Sequence, residues 1–212
     1  MRIQNLSLIL SALLLSLPIA CGGGSTPAPQ SVTAASGLVY SDPAITTGWR
    51  LVKDDSSTPS RLILNLVGPT GTKTRGVGFN LQAPPTVQFG AFPNGLAIND
   101  TGVYQLLGAG STDTSEPIAL ISGLKSGNLL TVGIYQKDRN QAAQDSSSAL
   151  CQIAILFDST KGLSIGDKLP LQITKAKVIP EDIGLVTDEP WILDRKMKMA
   201  DISIALGALS AK

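Results

Sequence analysis

Apolar residues in this chain recur at every second position, in short runs, and not at the three-to-four-residue spacing of a helix. In Arg61-Leu62-Ile63-Leu64-Asn65-Leu66-Val67, an extended backbone puts Leu62, Leu64 and Leu66 on one side. Val77, Phe79 and Leu81 alternate with Gly78 and Asn80, and Val87 and Phe89 repeat the device after Pro84-Pro85. Further runs cover residues 117–122, 129–136, 150–157, 168–178 and 202–209. Gly, Pro, Asn and Ser punctuate them, as in Gly68-Pro69-Thr70-Gly71, because these residues supply the backbone angles of turns. The pattern predicts an all-β chain of about eight or nine strands, an antiparallel β-sandwich or jelly roll. Pro170 falls on the outward phase of residues 168–173, which predicts an edge strand. At most, residues 190–199 form a helical turn.

Composition removes several function classes. The 212 residues include no histidine, which excludes Ser-His-Asp triads, Cys-His dyads, His-bearing zinc sites and haem attachment through CxxCH. A net charge of +1 gives no basis for binding nucleic acid. The 21 Gly and 13 Pro, with only 16% charged residues, favour short strands over helical bundles.

The N-terminus reads as an address. Met1 and Arg2 precede an apolar run from Leu6 to Ala20, too short for a spanning helix but suited to a secretory signal. Ile19-Ala20-Cys21, followed by Gly22-Gly23-Gly24-Ser25, resembles the end of a bacterial lipoprotein signal, with Pro18 where that pattern usually has Leu. The resemblance implies cleavage after residue 20 and acylation of Cys21, with two or three chains giving stable anchoring. Gly22 in place of Asp implies the outer membrane. An ordinary cleaved signal, with Cys21 incidental, is the alternative. Removing residues 1–20 takes away Arg2 alone among the charges, so 17 − 1 = 16 basic residues balance 16 acidic ones. Residues 21–37, rich in Gly, Ser, Thr, Pro and Ala, predict a flexible tether, and residues 38–212 form the folded domain.

Little in the domain points to reaction chemistry. Cys151 shares a strand face with Ile153, Ile155 and Phe157 and reads as a buried, inert residue, not a reactive thiol or intermolecular bridge. Glu181, Glu189, Asp182, Asp188 and Asp194 offer hard oxygen ligands without EF-hand spacing and read as solvated loop charge. Asn99-Asp100-Thr101-Gly102 is a turn sequence, and residues 137–148 read as a long exposed hairpin connection. Leu107-Gly108-Ala109-Gly110-Ser111 lacks both the third glycine and the Lys of phosphate-binding loops. No metal or cofactor is expected. Of Trp49, Trp191, Tyr40, Tyr104 and Tyr135, the ligand-binding candidates are Trp191 and Tyr135, although closing the end of a sandwich is the commoner role for such a Trp.

Two segments resemble cohesin-like domains. Residues 61–69 followed by Arg75-Gly76-Val77-Gly78-Phe79-Asn80-Leu81 are similar to their opening strand pair. Residues 150–157, followed by Lys161-Gly162-Leu163-Ser164-Ile165-Gly166-Asp167-Lys168-Leu169-Pro170, look like their late strands, and Gly123 to Asn128 is a weaker echo. The resemblance spans about residues 55–210 and rests on strand order and turn chemistry. It implies a jelly-roll fold and a superfamily of dockerin-binding modules and carbohydrate-binding modules. The expectation is therefore an outer-membrane lipoprotein without enzymatic activity. Its domain would bind a protein of the envelope or extracellular matrix, or alternatively a surface or extracellular polysaccharide.

Overall fold

Most of the alternating runs become strands, and the inward residues of the long strands meet in one core. The computed structural model describes residues 32–103, 119–136, 142–181 and 199–212. The strands before the first break in that description are β1 (Leu38–Ser41), β2 (Trp49–Lys53), β3 (Arg61–Val67), β4 (Lys73–Gln82), β5 (Val87–Gly90) and β6 (Ile98–Asp100). Those after it are β7 (Ala119–Ser126), β8 (Leu129–Gln136), β9 (Gln144–Asp145), β10 (Cys151–Phe157), β11 (Gln172–Pro180), β12 (Ala200–Asp201), β13 (Ile204–Ala205) and β14 (Ala208–Ala211). One six-stranded sheet runs β13-β2-β3-β10-β5, with β6 also on β10. The other runs β12-β11-β4-β8-β7, with β9 also on β4, and β1 pairs with β14 separately. Among the described residues every pair is antiparallel but one, β13 lying parallel to β2.

The sandwich follows from the alternation. Leu51, Leu62, Leu64, Leu66, Ile153 and Phe89 of the first sheet share one buried cluster with Val77, Phe79, Leu81, Leu130, Val132 and Ile134 of the second. Burying each such side chain is worth roughly 1.5–3 kcal/mol. Strand β3 is buried on both sides, because Phe92, after β5, packs on Ile63 and Ala154 of the outer face. Arg61 stands 5.0 Å over the centroid of the Phe92 ring.

Several local expectations change. The two- and three-residue strands are too short to show alternation, so more strands form than the runs indicate. Pro170 precedes β11 instead of lying within it, and Lys168 makes only a single bridge to Ser210. The run at 202–209 divides into β13 and β14 at Gly207, whose N–H donates to Tyr40 Oη at 2.6 Å. A Cβ at that glycine would overlap the Ser41 carbonyl oxygen, so only glycine fits the crossing. Asn99 and Asp100 belong to β6, and the turn falls at Gly102 with φ of 79°. Residues 123–126 continue β7 up to a two-residue turn, Gly127-Asn128. The connection after β8 is not wholly exposed: β9 pairs with Lys73 and Thr74, and Ser146 is buried, its hydroxyl 2.9 Å from the carbonyl oxygens of Pro69 and Thr72.

The start of the domain is also held. Residues 33–37, which composition places in the tether, bond to the body through Ala35 N–H to Leu163 O and Ser36 N–H to Lys212 O.

Candidate functional site

The outer face of the β11-β4-β8-β7 sheet is set by what stands opposite the core residues. Val77, Phe79, Val132 and Ile134 point inward, so Gly76, Gly78, Asn80, Thr131, Gly133 and Tyr135 fall on the other side. Strand register arranges this face in three rows. Leu124, Thr131, Asn80 and Lys175 form the first. Ser122, Gly133, Gly78 and Lys177 form the second, continued by Asp201. Tyr135, Gly76 and Ile179 form the third.

The middle row has no side chain at its two central positions, and a trough of about 360 Å³ results. Tyr135, Ile179 and Met199 line it on one side, and Asn80 and Thr131 on the other. Lys175 and Lys177 stand at its margin, with Lys177 Nζ 2.8 Å from Asp201 Oδ1. Met199 is half exposed and Leu124, in the first row, is 67% exposed.

The glycines on this face differ in kind. A Cβ at Gly76 would lie 2.5 Å from Tyr135 Cβ and 2.7 Å from the Ile134 carbonyl oxygen, so the neighbouring strand requires glycine. A Cβ at Gly133 would meet nothing within 4 Å. The register of β8 with β4 and β7 is continuous past Gly133, so no bulge explains that residue.

Of the two sequence-derived ligand-binding candidates, Tyr135 lines the trough, while Trp191 lies outside the described residues. Cys21, Tyr104 and the acidic residues Asp182, Asp188, Glu189 and Asp194 also lie outside them. Glu181 is described, and it pairs with Lys73 at 3.6 Å. Sequence reasoning missed Gly78, Gly133, Lys175, Ile179 and Met199. For the two glycines the signal was their placement between large apolar residues, in Val77-Gly78-Phe79 and Val132-Gly133-Ile134. The cross-strand register that brings those glycines together is not written in either segment.

Other reactive groups are committed to the fold. Cys151 is fully buried, and desolvation pushes its thiol up to about 12. Tyr40 is buried, donates to the Leu51 carbonyl at 3.0 Å and has its phenol pushed up to about 12, chiefly by burial. Trp49 is a core residue of β2. On the outer face of the first sheet, Asn65, Gln152 and Asn99 stand in one row beside Asp54. Ser56 holds the Asp54 carboxyl below its ordinary range, through its hydroxyl and its N–H, and Asn65 and Gln152 add to that. Among the described residues no group of three or more His, Cys, Asp or Glu is placed to hold a metal ion.

No family model matches the chain, and no curated protein matches it. Among solved structures, it is similar to the sixth cohesin of scaffoldin B from Acetivibrio cellulolyticus, crystallised with a Cel5 dockerin mutant. That match has 12% identity and a TM-score of 0.48, covering 76% of this chain and 97% of that one. A type II cohesin domain from the cellulosome of the same organism matches at 11% identity and TM-score 0.48, covering 78% and 95%. The non-cellulosomal cohesin of Archaeoglobus fulgidus matches at 10% and 0.43, covering 75% and 86%.

Proposed function

We propose that this chain is a non-enzymatic protein-binding module, held at the outer membrane by acylated Cys21, that receives its partner on the outer face of the β11-β4-β8-β7 sheet. Gly133 is the observation that carries this reading. An interior strand glycine costs roughly 0.5–1 kcal/mol relative to alanine, and nothing in the described fold requires one at this position. Its effect is to keep the trough open to a side chain from outside. The wall of Tyr135, Ile179 and Met199 is apolar, so the partner contributes an apolar side chain there, and its carboxylates meet Lys175 and Lys177 at the margin. Among the described residues no carboxylate lines the trough, which leaves hydrolysis by paired acids without its machinery there. The N-terminal reading supports the location: Cys21 follows a short apolar run, and Gly22 stands in the position that decides sorting. No helix of the described residues is long and apolar enough to cross a membrane.

The test uses the chain from residue 21 onward as bait for detergent-solubilised envelope and secreted material from its own organism. Wild type is compared with Gly133→Arg, which fills the trough without touching the core. One saturable protein partner, retained by wild type and lost by the variant at undiminished thermal stability, is the expected result. Equal retention by both would sink the assignment of this face. Polysaccharide that survives protease and is lost on Tyr135→Ala would replace the protein partner with a glycan.

A further inference from the structure

We infer that the end of the domain where the chain enters from the tether is a bilayer-contacting surface, built from Val32, Val39 and Ile165. The inference rests on the anchoring reading of Cys21. Among the described residues six large hydrophobic side chains are conspicuously exposed, and these three account for half of them, at 72%, 39% and 56%. They belong to segments that hydrogen-bond to one another. Ile165 N–H donates to Thr33 O at 3.0 Å, and Ala34 bridges Ser164, which brings Val32 and Ile165 to the same edge. Val39 pairs with Ser210, which in turn bridges Lys168, so Val39 and Lys168 stand in one outward row. The inward neighbours Leu38, Tyr40, Leu163 and Leu169 are buried, so the exposed residues are the outer layer of an otherwise finished core.

The occupant follows from chain length and side-chain chemistry. At about 3.5 Å per residue, the link from Cys21 to Val32 reaches at most about 40 Å. An acyl chain at Cys21 therefore keeps this end within that distance of lipid. A contact too weak to hold a free protein suffices once it is intramolecular. Aliphatic side chains enter the boundary between headgroups and acyl chains. The exposed Lys161 and Lys168 lie along their stems with the ammonium groups in the headgroup layer. Asp158 and Asp167 are turned into local bonds, to Thr160 N–H at 2.9 Å and Ser164 N–H at 2.8 Å. None of Val32, Val39 and Ile165 lines the trough.

Depth-sensitive fluorescence tests this. Residues 22–212, with six histidines in place of Cys21, are held by a chelating lipid on vesicles of phosphatidylethanolamine with a quarter phosphatidylglycerol. The chain has no histidine of its own, and Cys151 is buried, so a thiol-reactive polarity probe reports Ile165→Cys or Leu124→Cys alone. Emission from position 165 is expected to rise several-fold and shift to the blue on the vesicles, with no change at position 124. Val32→Asp should diminish the gain at 165. No change at 165, or an equal change at both positions, overturns the inference. Cellular incorporation of a labelled fatty acid into wild type, lost in Cys21→Ser, tests the anchoring reading separately. Failure there leaves the vesicle result intact, because the chelating lipid supplies the anchor.

Discussion

Two glycines on the same sheet face should respond oppositely to the same substitution. Gly133 and Gly76 are both interior to long antiparallel strands, both outside the positive-φ region and both directed away from the core. Replacing Gly133 with Thr adds a β-branched residue whose Cβ meets nothing within 4 Å. The gain combines about 0.5–1 kcal/mol from reduced freedom of the unfolded chain with up to a comparable amount from strand preference. About 1 kcal/mol of added stability is expected, a rise in Tm of roughly 2–4 °C for a domain of this size. Replacing Gly76 with Thr sets a Cβ 2.5 Å from Tyr135 Cβ and 2.8 Å from Tyr135 Cα. That contact is with backbone and a β-carbon, which no rotamer change relieves, so β4 must move away from β8. A loss of about 1–3 kcal/mol is expected, the range seen for overpacking. Thermal and urea unfolding of the purified variants, followed by circular dichroism, measure both. Destabilisation by Gly133→Thr, or tolerance of Gly76→Thr, would refute the claim that one glycine serves the fold and the other an outside ligand.

Three further outcomes follow from the interior and the outer face of the first sheet. Leu64→Ala, at a fully buried residue in the middle of β3, should cost about 2–5 kcal/mol in urea unfolding, with the fold retained. Cys151 should resist a thiol reagent in the native chain at pH 8 and react at once in denaturant. Because its folded pKa is raised, the stability it contributes is complete below the unfolded value near 9 and declines as pH rises towards about 12, so unfolding should become easier in strong alkali. Asp54→Ala should cost under about 1 kcal/mol at neutral pH, the charge-assisted bonds being discounted for solvent exposure. Since the Asp54 pKa is lowered on folding, that deficit should be full above about pH 4 and vanish as pH falls through the folded value.

What the alternation of single residues could specify, it did specify. Leu62, Leu64 and Leu66, then Val77, Phe79 and Leu81, then Ile153 and Ile155 all face one core, because a two-residue period puts alternate side chains of a strand on the same face. The inert burial of Cys151 was equally legible, from its phase with Ile153 and Ile155. The absence of histidine set the limits on chemistry before any fold was known. Other features required the tertiary structure, because each depends on residues distant in sequence. Gly207 is necessary only because Ser41, far earlier in the chain, lies against it. Ile63 is buried on the outward phase of β3 only because Phe92 folds over it. The trough needs Gly78 and Gly133 opposite each other across a strand pair whose register is set by the whole sheet. Local periodicity decides which way a side chain points; only the packed sheets decide what it meets.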